Sequence, residues 1–174
     1  DFPIRPLKEI DQFFSENSPA EFIECMPIGY YRWRIKNYNF FTEFRSNRTL
    51  PIRIADNILR RIQKTFPERN TLKGRDLYKG SSWFSLTYEC MIYILEYLNE
   101  DPDFLNDFSH SSNADEHFFQ ILLMNSPFKG KVVNNNLRFI DWEEGKSSPR
   151  TLRVKDFKTL QNSFDLFARK FDSN

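Results

Sequence analysis

Apolar residues in this chain repeat at helical spacing in separated segments, and short extended runs lie between them. That alternation narrows the fold most, because strands interleaved with helices assemble into an α/β layered domain. Pro6 suits the first turn of a helix with the stripe Leu7, Ile10, Phe13 and Phe14, and Ala20 to Met26 reads as a short strand. Pro51 opens a helix with Ile54, Ile58, Leu59, Ile62 and Phe66 on one face. Arg53, Arg60, Arg61 and Lys64 form another face, read as solvated. Trp83 to Leu86 reads as a strand, followed by a helix through Met91, Ile94, Leu95 and Leu98. Asn113 with Glu116 fits a capping box before a helix through Phe119, Leu122 and Leu123. Lys131 to Val133 and Leu137 to Trp142 suggest two more strands, and Asp156 is placed to cap a last helix carrying Phe157, Leu160, Phe164 and Phe167. The aromatic and basic stretch from Pro27 to Arg48 shows no clean period and reads as an ordered, irregular loop region. Asp101 to Ser112 reads as polar loop, Pro67 to Gly80 as turn-rich, and Glu143 to Arg150 as a Gly/Ser/Pro loop.

With 174 residues, 40% of them hydrophobic, the chain can bury one sizeable core, and its length favours a single domain over 1–174. Aromatic residues make up 17%, a surplus of the flat rings on which carbohydrate sites seat sugars. Lys plus Arg number 25 against 24 Asp plus Glu, so no strong field gathers polyanions, and nucleic acid is not expected as a partner. No run approaches the roughly 18 apolar residues of a membrane span. The opening Asp1-Phe2-Pro3-Ile4 has no signal-peptide pattern and reads as if cut from a longer chain. Cys25 and Cys90 sit in apolar runs and are expected as buried free thiols.

Several stretches occur in a telling order. They are Asp1-Phe2-Pro3-Ile4, Lys79-Gly80-Ser81-Ser82-Trp83-Phe84, Asp115-Glu116-His117-Phe118-Phe119 and Asn125-Ser126-Pro127. Asn135-Asn136-Leu137-Arg138-Phe139-Ile140-Asp141-Trp142 and Phe167-Ala168-Arg169-Lys170-Phe171-Asp172 complete the set. Together they resemble the core-2/I-branching and peptide O-xylosyltransferase family. The resemblance implies the carboxy-terminal portion of a GT-A-like glycosyltransferase fold, a mixed sheet with flanking helices. It also implies that the nucleotide-binding half lies upstream of this chain.

The same resemblance implies an inverting transfer of N-acetylglucosamine or xylose from a UDP-sugar to a glycan hydroxyl, or to a protein serine. Such a reaction needs one carboxylate to take the acceptor proton, and the resemblance gives that role to Glu116, at a helix start where the dipole favours negative charge. Asp115 is read as an exposed first-turn acid. Arg169, Lys170 and Arg150 are implied as cations for the leaving diphosphate, a task suited to fixed positive charge. Gly80, Ser81, Trp83, Trp142 and Asp1 are implied on the sugar and acceptor side, with strand or core packing the competing account of both tryptophans.

Asp101-Pro102-Asp103 has the letters of a metal motif but stands in a Pro turn, so no metal is expected, and no cofactor beyond the UDP-sugar substrate. His110 and His117 are too few and too poorly spaced with cysteine for a zinc site. A glycoside hydrolase would need two facing carboxylates, and Glu116 alone stands out. The alternative to an enzyme is a non-catalytic glycan-binding fragment. Asn47-Arg48-Thr49 spells a glycosylation sequon that matters only in a secreted protein. The shortage of cysteines relative to the family's Golgi members points to a bacterial-type cytosolic enzyme, with the Golgi lumen as the eukaryotic alternative.

Overall fold

The computed structural model describes residues 1–40, 49–142 and 148–172. Its strands are short: β1 (Phe2–Pro3), β2 (Glu21–Ile23), β3 (Met26–Pro27), β4 (Tyr78–Lys79), β5 (Phe84–Ser85), β6 (Val132–Val133), β7 (Arg138–Ile140) and β8 (Phe167–Arg169). The helices are α1 (Leu7–Glu16), α2 (Trp33–Lys36), α3 (Leu50–Gln63), α4 (Tyr88–Glu100), α5 (Asp103–Asn106), α6 (Phe118–Met124) and α7 (Phe157–Asn162). In one sheet β8 runs antiparallel to β1 and parallel to β7, and in a second β2 runs antiparallel to β5 and parallel to β6. β3 and β4 form an antiparallel pair. These small mixed sheets with helices around them are the expected α/β class.

The larger core joins Ile23 and Cys25 of the β2–β3 segment to Ile35, Cys90, Ile94, Phe104, Ile121 and Leu123. Ile10, Phe22, Leu137 and Leu166 make a second cluster beneath α1. Leu152, Leu160 and Ala168 make a third beneath α7. Thr87 starts α4: its Oγ accepts from the Cys90 N–H at 3.2 Å and donates to buried Glu21 at 2.6 Å. One side chain thus satisfies a helix-end donor and a buried carboxylate together. Cys25 and Cys90 are buried and unpaired, and burial pushes both thiols up to about 12. Among the described residues no helix is long and apolar enough to cross a membrane.

Five readings of the sequence need correction. The stretch after Pro27 is not irregular throughout, since a 3-10 turn over Gly29–Arg32 runs into α2; residues 41–48, with the Asn47 sequon, lie outside the described residues, as do 143–147 of the Gly/Ser/Pro loop. Asp101 to Ser112 is not a purely polar loop: α5 folds there and buries Phe104, which packs on Phe108 and Phe118 at 5.3 and 5.2 Å between ring centres. On α3 the isoleucine stripe faces outward, with Ile54, Ile58 and Ile62 at 50%, 52% and 50% exposure, while Asp56 is buried and paired with Arg60 at 3.1 Å. Arg60, on the face read as solvated, stacks over Trp33 at 4.6 Å, so a cation and a ring make an inner contact of this helix.

The last helix is shorter than its pattern. It stops at Asn162, because the Ser163 hydroxyl bonds back to the Leu160 carbonyl at 3.1 Å and accepts from Asp165 N–H at 3.3 Å. Phe164 is left fully exposed, and Phe167 enters β8 instead. Asp156 accepts from the Arg153 N–H at 2.7 Å, closing a 3-10 turn ahead of α7 rather than capping the helix itself.

Candidate active site

Asn113 adopts a left-handed backbone, φ 54°, which Asn tolerates better than most residues. That reversal starts a 3-10 turn over Ala114–Glu116, with the Glu116 N–H donating to the Asn113 carbonyl at 3.0 Å. The expected capping box is not formed. Asn113 sends its side-chain amide to Glu116 Oε1 at 2.8 Å, and Arg34 Nη1 donates to Glu116 Oε2. Glu116 therefore precedes α6 instead of sitting in its first turn, and its charge is met by Arg34 rather than by the helix dipole. Its side chain is 34% exposed, against 16% for Arg34.

Beside this turn runs the segment between β4 and β5. The Gly80 N–H donates to the Glu116 carbonyl at 2.9 Å, and a Cβ on Gly80 would stand 1.7 Å from the Glu24 carbonyl oxygen. No side chain larger than hydrogen fits there. Gln120 holds the next residue, donating from Nε2 to the Ser81 carbonyl at 2.7 Å. Trp83 N–H reaches the Ser81 hydroxyl at 3.2 Å, and its ring carries the Arg169 guanidinium at 4.2 Å.

These parts line one cleft of about 730 Å³ that brings together Glu116, Gly80, Ser81, Trp83, Trp142 and Arg169 from the sequence-predicted set. Trp142 is 60% exposed, so it is a rim residue and not a core one. Asp1 does not line the cleft; its carboxylate oxygens stand 3.4 Å from Arg138 and 4.0 Å from Arg169. The cleft also exposes Glu24, Tyr31, Arg34, Lys79 and Asn136, none of which sequence reasoning singled out. Asn136 approaches Glu24 at 3.4 Å, while Arg34 and Lys79 both stack on Tyr31, at 4.6 and 4.4 Å. Lys79 and Asn136 stand in motifs that carry the resemblance, which implied no role for them. Tyr31 and Arg34 had only the aromatic and basic composition of the stretch after Pro27, and Glu24 had no signal.

The three predicted cations do not meet at one point. Arg169 closes β8, not a helix, and lines the cleft, whereas Lys170 follows the strand and faces elsewhere. Lys170 lines a neighbouring hollow of about 410 Å³ with Arg150, Arg153 and Lys155, and Pro149 borders both spaces. Arg150 binds Asp141 at 2.6 Å and Asp156 at 2.9 Å, and holds Asp156 well down, to about 2. Its guanidinium serves first as a clamp between two loops.

The remaining candidates have structural employment. Asp101 takes an ion pair from Arg75 at 2.7 Å and a hydrogen bond from Tyr97 at 3.0 Å. His110 packs its ring against Phe40 at 4.8 Å. His117 is fully buried and donates from Nδ1 to the Tyr78 carbonyl at 3.2 Å, which leaves Nε2 as an acceptor with no partner among the described residues. Burial lowers its pKa. A larger hollow of about 1090 Å³ lies between Phe2, Phe157, Leu160 and Phe171, and holds none of the predicted site residues.

Residues 1–162 match the Core-2/I-Branching enzyme family. Xylosyltransferase 2 of Rattus norvegicus is 27% identical over 192 residues, covering 99% of this chain and 20% of that protein. Beta-glucuronosyltransferase GlcAT14A of Arabidopsis thaliana is 33% identical over 98 residues, covering 55% of this chain and 22% of that protein. Xylosyltransferase 1 of Rattus norvegicus is 26% identical over 190 residues, covering 99% of this chain and 22% of that protein. The chain thus spans about a fifth of the length of these curated relatives. All three are animal or plant proteins, which gives the bacterial-type expectation no support. With the match covering most of its length, the chain belongs to the Core-2/I-Branching enzyme family.

Proposed function

We propose that this chain is the catalytic and acceptor-binding part of an inverting glycosyltransferase, with Glu116 as the general base. The observation that carries the reading is a part-exposed carboxylate, fixed at both oxygens, in a cleft walled by Trp83 and Trp142 and bordered by a cluster of cations. The acceptor hydroxyl gives its proton to Glu116 as its oxygen forms a bond to the anomeric carbon of the donor sugar. The bond from that carbon to the diphosphate oxygen breaks on the opposite face, and the electron pair leaves with UDP. Lys170, Arg153 and Lys155, grouped in the adjoining hollow with Arg150, supply positive charge for that departing group. No resident metal or cofactor enters this scheme, and the uridine side falls to chain upstream of residue 1.

Gly80 and Ser81 let the acceptor approach the backbone, Trp83 and Trp142 offer it ring faces, and Arg169 orients Trp83 while tying it to Asp1. Among donors, xylose or glucuronate now stands ahead of N-acetylglucosamine, because the relatives are named for those two sugars. The eukaryotic relatives likewise favour the Golgi lumen over a bacterial-type cytosol.

The test is a panel of UDP-sugars offered to the complete protein carrying this chain, with and without chelator, beside Glu116→Gln. Wild type should release UDP in an acceptor-dependent way that chelator leaves unchanged. Glu116→Gln should lose about 10²–10⁴-fold in turnover with a similar melting temperature. Near-normal turnover of that variant overturns Glu116 as the base. Glycan binding with no UDP release from any donor points to a non-catalytic glycan-binding domain instead.

A further inference from the structure

Both oxygens of Glu116 are held by side chains that come from outside its own turn or from the turn's first residue. Arg34, 82 residues away in sequence, reaches Oε2, and Asn113 reaches Oε1. We infer that Arg34 is the positioning residue for this carboxylate: it fixes the plane in which Glu116 meets the acceptor hydroxyl. The inference rests on the reading of Glu116 as the general base.

The frame around Arg34 is what gives it that role. Its backbone carbonyl accepts from the Ser112 N–H at 2.8 Å and from the Asn39 side-chain amide at 3.1 Å. α2 is therefore stitched to the residue just before Asn113, and the two groups that grip Glu116 move together. The guanidinium lies over the Tyr31 ring at 4.6 Å, which settles the tilt of its plane. Lys79 lies over the same ring at 4.4 Å.

Arg34 Nε is buried and finds no hydrogen-bond partner among the described residues. Such a donor is a cost to folding. The hydrogen bond this guanidinium does make is the one from the other arm of the fork, Nη1 on Glu116 Oε2.

The chemistry separates orientation from driving force. An ion pair to Arg34 is strongest while the carboxylate is charged and weakens as the acceptor proton arrives. The pair therefore does not pull the proton across. It fixes where the free lone pairs of Glu116 point, and a carboxylate with one contact per oxygen still has lone pairs left for the acceptor. Misplacement of about 1 Å in such a group costs on the order of 10²-fold in rate.

The experiment measures steady-state kinetics of the complete protein with Arg34→Ala, Arg34→Lys and Glu116→Gln. Arg34→Ala should lower kcat about 10²-fold with donor KM unchanged, and added guanidinium should restore a measurable part of kcat. Arg34→Lys keeps the charge but loses the planar fork, so its kcat should fall between alanine and wild type. Full kcat in Arg34→Ala, or a loss confined to KM, overturns the inference. If Arg34→Ala does not fold, Arg34→Lys decides: wild-type kcat overturns the inference, and a kcat loss at constant KM sustains it. Activity in Glu116→Gln sinks the base reading itself, whereas an inactive Glu116→Gln beside a fully active Arg34→Ala removes only the role of Arg34.

Discussion

The backbone N–H of Gly80 donates to the carbonyl of Glu116 at 2.9 Å, so the loop that floors the cleft and the turn that carries the carboxylate are one unit. Behind Gly80 the Glu24 carbonyl closes the remaining space, 1.7 Å from where a Cβ would stand. Gly80→Ala must therefore push backbone against backbone, and no flexible side chain is available to yield. Overpacking of this kind costs about 1–3 kcal/mol. A thermal melt should show a fall of several degrees, and kcat should drop with it, because Glu116 is displaced along with the loop. An unchanged melt and unchanged kcat would mean the loop relaxes freely, against the geometry.

Asp156 gives a pH test of the clamp around the basic hollow. Arg150 and the Arg153 N–H hold its carboxyl down from 3.8 to about 2. A depressed acid stabilises the fold at pH above its unfolded value, and that contribution disappears as pH falls from about 4 to about 2. Asp156→Asn should therefore be less stable than wild type at pH 6, with the gap closing as pH falls to 2. Denaturation midpoints at pH 6, 4 and 2 check this, and a gap that stays constant with pH would show the Arg150 contact to be incidental.

Helices α1, α3 and α4 were legible because a stripe such as Leu7, Ile10, Phe13 and Phe14 states its period locally. Strands of two or three residues state almost nothing, so β3 and β4 had no signature of their own. α5 was hidden because one turn with a single buried Phe104 has no period to read. On α3 amphipathicity says that two faces differ, not which one meets the body, and Arg60, read as solvated, packs over Trp33. Of the candidate site, Glu116, Gly80, Ser81, Trp83, Trp142 and Arg169 were found through motifs and do line one cleft. Arg34 was not found, because nothing local links it to a residue 82 positions further on. Lys170 parts from Arg169 because β8 ends at Arg169, and the two side chains line different spaces.

His117 makes stability fall in mild acid. Burial lowers its pKa below 6.5, so the native state binds fewer protons than the unfolded chain once pH drops under that value. Its contribution is complete above pH 6.5 and erodes below it, by up to about 1.4 kcal/mol per pH unit. The His117→Gln variant should be less stable at pH 7.5 yet show a shallower decline to pH 5.5. Urea unfolding at the two pH values measures both slopes, and parallel slopes would show that His117 does not set the decline.

Trp142 separates binding from folding. At 60% exposure it contributes little packing, so Trp142→Ala should leave stability within about 0.5 kcal/mol of wild type. As a ring face for the acceptor it should matter more: an aromatic contact of about 0.5–1.5 kcal/mol corresponds to roughly a two- to twelve-fold rise in acceptor KM. Donor KM should not move. Isothermal melts and a two-substrate kinetic grid check both halves, and a large melting shift with unchanged acceptor KM would return Trp142 to a purely structural role.

Arg169 and Lys170 are neighbours in sequence with opposite outlooks, and single substitutions should show it. Arg169 stacks on Trp83 inside the cleft and stands 4.0 Å from Asp1, so Arg169→Ala frees the Trp83 ring and should raise acceptor KM. Lys170 lines the hollow with Arg153 and Lys155, so Lys170→Ala removes one cation from the group placed for the diphosphate. Removing one such preorganised contact costs about 10²–10³ in kcat where it meets developing charge. The acceptor KM of Lys170→Ala should stay near wild type, and raised salt should slow wild type more than this variant, since part of the screened interaction is already gone. If the two variants instead show the same kinetic profile, the end of β8 acts as a single basic patch, and the division of labour between cleft and hollow is wrong.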